Sequence, residues 1–325
     1  MRGALKNIKK ILITGGAGYI GSVLAQLATD QGYEVHVADR FFFGRETISD
    51  PRIICHQVDT RDFPAHLLDG VYAVFDLAGI SNDPSGELFK EPTLDINFRA
   101  RERIQKLCQE KGVSRYVLAS SCSVYGFQES IVDEDSVPNP LTTYAEANVL
   151  AEQSALSSGG RSCSFTVLRQ ATVFGPSPRM RFDLVVNAIT KNIVRERKLE
   201  LLRDGKQWRP LVHVKDTSRA FLSVLEADRS LVADQIFNVG ADSMNYQVSA
   251  IAQEIMNSLQ ERIDISWYGS PDNRSYKVSF EKIRRVLGFE PEFSVGDAAT
   301  QIASLLSENN LREGPETITL GWYQY

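Results

Sequence analysis

Apolar and polar positions change their period along this chain. Short β-branched runs at residues 9–14, 34–38, 52–57, 73–77, 115–119 and 164–169 are bounded by polar or glycine-rich breaks and predict strands. Longer stretches of helical period lie between them, with helices predicted to start near Tyr19, Thr93 and Tyr144. Within 94–111 the apolar positions Ile96, Ala100, Ile104, Leu107 and Cys108 share one helical face. Apolar strands alternating with helices predict an α/β fold, a doubly wound parallel sheet of Rossmann type covered on both faces. The polar stretches 83–86 and 133–140 read as loops over the carboxyl edge of that sheet, where ligands enter such folds.

Beyond Gly175 the pattern shifts. Pro176 and Pro178 open a loop, and helices are predicted over 182–193, 248–259, 280–287 and 295–305. Short strands fall at 199–202, 211–214 and 263–267, and the apolar run 235–239 is suited to return to the main sheet. The expected organisation is a first domain over 1–175, joined by the strand near 235–240, with a smaller interleaved cap over 176–325.

Composition narrows the possible partners. At 325 residues, 43% apolar and 24% charged, the chain has ordinary globular usage. Thirty-six Lys plus Arg against 41 Asp plus Glu give a net charge of −5, which advertises neither nucleic acid nor an anionic membrane as partner. No apolar run approaches the roughly 20 residues of a membrane helix. Glycines 15, 16, 18 and 21 break the apolar stretch that would otherwise imitate a signal peptide. Cys55, Cys108, Cys122 and Cys163 are widely spaced and out of metal-ligand register. A soluble, cytoplasmic protein without a metal is expected.

The sharpest local signal is Thr14-Gly15-Gly16-Ala17-Gly18-Tyr19-Ile20-Gly21, which follows an apolar strand and opens a helix. Such a turn lets a pyrophosphate approach the helix N-terminus, although a tight strand-to-helix connection alone also uses glycines. Asp39 ends the next apolar strand, where a carboxylate accepts from adenosine ribose hydroxyls, and Asp59-Thr60 follow the third strand within reach of the adenine. A carboxylate at Asp39 repels a 2′-phosphate and so favours NAD over NADP, while Arg40 partly offsets the repulsion.

The chain resembles the extended short-chain dehydrogenase/reductase family, in particular its NAD-dependent sugar-nucleotide epimerases and dehydratases. The resemblance rests on the glycine turn, Asp59-Thr60-Arg61-Asp62, Leu77-Ala78-Gly79, Asn97, Ser120 through Gly126, Tyr144, Leu168-Arg169, Val173 through Pro176, Trp208 through Val214 and Asn238-Val239-Gly240. It implies NAD held by Gly15, Gly18, Tyr19, Ile20, Gly21, Asp39, Arg40, Asp59, Thr60, Leu77, Ala78, Gly79 and Asn97. It implies Tyr144 as the base for a sugar hydroxyl, Ser121 as that oxygen's hydrogen-bond partner, and a lysine four residues after the tyrosine that lowers its pKa and holds the nicotinamide ribose. A nucleotide-diphosphate sugar is the implied substrate, with Ser81, Ser121, Thr172, Arg179, Arg209 and Arg274 as its binding residues. For these arginines a solvated or salt-bridged role is the alternative, and Arg181 stands in the same loop context. Relatives dimerise through the helices equivalent to 93–111 and 144–157, so a homodimer is implied.

The family pattern is broken where it matters chemically. Residue 148 is Asn, so the segment reads Tyr-x-x-x-Asn, and an amide bonds ribose hydroxyls without supplying a charge. A free phenol of pKa near 10 is ionised to about one part in a thousand at pH 7. An inactivating substitution, a slow or specialised enzyme, and a protein that binds nucleotide without turnover all agree with Asn148. Cys122 and Ser123 stand where sugar 4,6-dehydratases carry an acid and a base. Cys122 is then either a weak acid or a small buried residue, and serine is a poor base. Epimerisation through a ketosugar is the leading expectation, with dehydration, ketosugar reduction or binding without catalysis as alternatives.

Overall fold

In a computed structural model, which describes residues 8–158, 162–270 and 275–324, seven parallel strands form the central sheet. Their spatial order is Gln235–Val239, Ser164–Gln170, Arg115–Ser121, Ala73–Asp76, Lys10–Thr14, Glu34–Asp39 and Ile54–Gln57. The order reverses beside Lys10–Thr14, which pairs with Glu34–Asp39 on one side and Ala73–Asp76 on the other. At that reversal the crossing helices leave to opposite faces and open a crevice at the carboxyl ends of the strands.

Strand residues alternate between two cores because the pleat has a period of two. Ile11, Ile13, Phe75 and Val117 pack with Leu24 and Phe221 under the helices Tyr19–Asp30 and Val214–Glu226. Leu12, Val74, Tyr116 and Leu118 pack with Ile104, Cys108 and Ala151 under Arg101–Glu110 and Thr143–Ser157. Burial on both faces is why these strands read as continuous apolar runs. A third core joins Val186, Ile189, Ile251, Ile255 and Ala299 of the helices Val185–Lys191, Val248–Ser258 and Val295–Ser307, and this cap roofs the crevice.

Several expectations fail locally. Residues 83–86, expected as loop, belong to the helix Asp83–Leu88, whose N-terminus is capped by Asn82 Oδ1 accepting from Ser85 N. Val214, expected in a strand, begins Val214–Glu226, because the strand Trp208–His213 ends on a histidine whose Nδ1 accepts from Lys215 N. That helix was absent from the pattern, since its apolar start merges with the preceding strand. The helix expected from 182 starts at Val185, and the helix through 94–111 contains a π-helical stretch, Asp95–Ala100. No helix among the described residues is long and apolar enough to cross a membrane.

Candidate active site

The crevice between sheet and cap is a cleft of about 940 Å³. Its sheet-side wall begins at the glycine turn. Gly15 has φ +65°, and a Cβ there would lie 2.8 Å from the Ala78 backbone, so only glycine lets the two loops meet. The helix Tyr19–Asp30 that follows has neither a side-chain cap nor an acidic residue in its first turn. Its N-terminal amides therefore remain suited to an anion. Asp39 holds the adjoining loop by accepting from Ala17 N at 3.0 Å and Phe41 N at 2.7 Å. Burial pushes its carboxyl above the usual range despite those bonds. Asp59 accepts from Arg61 and lies 3.6 Å from Arg40 Nε, so Arg40 and Arg61 share its charge. These features fit a dinucleotide, with a pyrophosphate on the open helix end and a ribose at Asp39, and Gly15, Gly18, Tyr19, Ile20, Gly21, Asp59, Thr60, Leu77, Ala78 and Gly79 line the same wall.

Asn97 lines this wall and braces it. Its amide accepts from Ile80 N and donates to Ile80 O, both at 2.9 Å, which fixes the loop carrying Ala78 to Ser81. Tyr19 Oη donates to Gly175 O at 2.5 Å and accepts from Asn187 Nδ2, tying the glycine turn to the first residues of the cap.

The centre of the cleft holds Ser121, at the end of its strand, and Tyr144, in the first turn of Thr143–Ser157. Burial raises the phenol's pKa and the charge of Asp83 raises it further; the neighbouring Ser121 hydroxyl, the Arg101 charge and the Asn148 amide pull it back. Gly86 lets the helix Asp83–Leu88 press on this residue, since a Cβ there would lie 2.9 Å from Tyr144 Cβ. Asn148 is buried one turn on; its Nδ2 donates to Tyr144 O at 3.1 Å and its Oδ1 accepts from Arg101 Nη1 at 2.9 Å.

Cys122 is not among the cleft-lining residues. It is fully buried, its thiol donates to Arg169 O at 3.3 Å, and burial drives its pKa far up. An acid must reach its substrate, and this thiol points into the core. Ser123 does line the cleft.

Ser81 and Thr172 line the cleft from the sheet side, and Arg179, Arg181 and Arg209 line it from the cap side. Arg181 is paired with Asp183 at 2.9 Å and donates to Ser81 Oγ at 3.1 Å. Arg179 donates to Thr319 Oγ1 and lies 3.8 Å from the centre of the Phe43 ring, on the side of the loop after Asp39. Burial and the neighbouring Arg181 charge lower its pKa to about 9, the mark of a cation short of counter-charge. Arg209 Nη1 donates to Trp208 O at 2.9 Å. Arg274 lies outside the described residues. His213 is buried, stacks on Phe293 and has its pKa lowered to about 4, first by burial, so it is a neutral structural group. Among the described residues no cluster of His, Cys, Asp and Glu suits a metal.

Sequence reasoning missed Arg101, Asp83, Gly86 and Tyr323, which all border this site. Arg101 had a signal: 97, 101, 104 and 108 follow a 4-3-4 spacing, which places a cation on the buried stripe of its helix.

Comparison with known proteins agrees with this geometry. The chain is 28% identical over 316 residues to the uncharacterized UDP-glucose epimerase YtcB of Bacillus subtilis (strain 168), covering 92% of this chain and 98% of that protein. It is 26% identical over 311 residues to the UDP-glucose 4-epimerase of Lactobacillus helveticus, covering 87% and 92%. The solved structure of MoeE5 in complex with UDP-glucuronic acid and NAD superposes with a TM-score of 0.83 at 27% identity, over 92% of this chain and 99% of that one. Residues 11–240 match the model of the NAD dependent epimerase/dehydratase family, and with the glycine turn, Asp39 and the Ser121–Tyr144 pair on one cleft, the chain belongs to that family.

Proposed function

We propose that this protein is a NAD-dependent epimerase of UDP-sugars, working through a transient ketosugar. The observation that carries this reading is that Ser121 and Tyr144 line one cleft, between a dinucleotide wall and an arginine-lined cap. NAD, held by the glycine turn and Asp39, would supply the hydride acceptor and donor for the alcohol carbon. Tyr144, as phenolate, takes the hydroxyl proton of that carbon, and Ser121 holds the same oxygen so that proton and hydride leave one C–O–H unit. The ketosugar turns within the cleft, and Tyr144 returns the proton after the opposite face has been reduced. Arg179, Arg181 and Arg209 supply charge for the diphosphate. Dehydration is less well supported, because no carboxylate stands on the 122–123 turn and Cys122 is walled off from the cleft. A homodimer through 93–111 and 143–157 is part of this reading.

The test is a panel of UDP-glucose, UDP-glucuronic acid and UDP-N-acetylglucosamine incubated with protein and NAD, with products read by NMR. Interconversion of two epimers without net NADH formation is expected. Tyr144→Phe is expected to cut turnover by about 10²–10⁴-fold. Turnover untouched by Tyr144→Phe, or a decarboxylated or dehydrated product, overturns the proposal.

A further inference from the structure

A phenolate base in a buried site needs a nearby positive charge, and residue 148 carries none. Arg101 is 4% exposed at the start of the helix Arg101–Glu110 and yet lines the cleft. Its Nη1 donates to Asn148 Oδ1 at 2.9 Å. Its Nη2 lies against Gly79, where a Cβ would come within 3.2 Å of it. Its Nε, also buried, has no hydrogen-bond partner among the described residues. A buried guanidinium with an unspent N–H is costly unless a ligand or an anion completes it. No carboxylate is ion-paired with it among the described residues.

We propose that Arg101 supplies, from the neighbouring helix, the positive charge of this active site, and that Asn148 is the positioning residue that holds its guanidinium beside Tyr144. The inference rests on the reading of Tyr144 as the base. Asn148 then has a defined role, because its amide spans the two helices, accepting from Arg101 and donating to the Tyr144 carbonyl. A lysine at 148 in this setting would face the guanidinium as a like charge. The unspent Nε–H is a donor for a hydroxyl of a dinucleotide held on the Gly79 wall. The groups facing Tyr144 act in opposite directions: Asp83, from the helix packed on one side, raises the phenol's pKa, while Arg101 lowers it alongside the Ser121 hydroxyl and the Asn148 amide. Tyr276 also faces this cluster, and Glu87, on the helix with Asp83, accepts from Thr143. The phenol is the group whose ionisation sets the rising limb of activity with pH.

The proposal is tested by ultraviolet difference titration of Tyr144, with the Tyr144→Phe protein as the blank for the remaining tyrosines, and by calorimetry with NAD. Arg101→Gln is expected to move the Tyr144 ionisation up by about 1–2 pH units, the effect of losing an opposite charge at close range. It is expected to weaken NAD about tenfold. Arg101→Lys keeps the charge and is expected to hold the ionisation within about half a unit of the parent. Asn148→Lys alone is expected to weaken NAD binding, whereas Arg101→Gln with Asn148→Lys restores one cation and recovers the parental ionisation, a non-additive cycle. A folded Arg101→Gln protein with unchanged Tyr144 ionisation and NAD affinity overturns the proposal. Where Arg101→Gln does not fold, an Arg101→Lys protein whose ionisation rises by a full unit overturns it instead. None of these readouts uses a sugar nucleotide. A panel without turnover thus removes the epimerase reading while leaving the role of Arg101 to stand or fall on its own measurements.

Discussion

Asp39→Asn separates the cofactor role of this carboxylate from its structural one. Each Asp39 oxygen already accepts one backbone N–H, from Ala17 and from Phe41, and each keeps a lone pair for a ribose hydroxyl. Phe41 sits at φ 55°, a conformation that its bond to Asp39 helps to hold. The amide retains one acceptor and sets an NH₂ group against one of the two backbone donors. A hydrogen bond to a charged group contributes about 1.5–3 kcal/mol, so losing the charge at the ribose is expected to weaken NAD by roughly 10–150-fold. NADP gains by comparison, because the repulsion of its 2′-phosphate goes with the charge. Calorimetry with both dinucleotides measures the preference, and thermal unfolding of the same samples measures the loop. NAD affinity that matches the parent's refutes the assignment. So does an equal loss for NAD and NADP accompanied by a drop in Tm, since that pattern means a collapsed loop. The pH dependence follows in sign: burial raises the Asp39 pKa, so NAD affinity is fullest above that pKa and is lost as pH falls through it.

Two further outcomes are expected. Glu152→Gln leaves Arg169 as an unbalanced charge in the core, where the 2.7 Å ion pair is almost wholly buried, and costs about 3–5 kcal/mol in denaturant unfolding; a loss below about 1 kcal/mol contradicts this. The homodimer predicts a mass of two chains by light scattering at micromolar concentration, through helices whose half-buried residues include Phe98, Leu107 and Leu150, and a single-chain mass refutes it.

Ser121 and Tyr144 were marked out by the family resemblance, whereas the glycine turn and Asp39 were legible in the chain because each belongs to a local pattern of strand, turn and helix. The sheet was legible for the same reason: strands buried on both faces leave unbroken apolar runs. Local pattern also misled. The helix Val214–Glu226 hid behind the apolar strand that feeds it, and a polar stretch containing Pro84 and Gly86 turned out to be the helix that presses on Tyr144.

Charge in the site was decided by the tertiary structure. From the chain alone, Asn148 is a missing cation, because periodicity reports which face of a helix is buried and nothing of what that face meets. Packing brings Arg101, 47 residues earlier, onto Asn148 and beside Gly79. Packing likewise turns Cys122 away from the cleft that its neighbours Ser121 and Ser123 line. Successive residues at a strand end point to opposite faces, so one position decides whether a thiol meets substrate or core. Sequence therefore determined the sheet and the glycine turn, which depend on neighbours a few residues apart, and through its family resemblance pointed to the phenol. Tertiary structure determined which charges surround that phenol, because electrostatic interaction depends on distance in space and on burial, both set by the approach of separate helices.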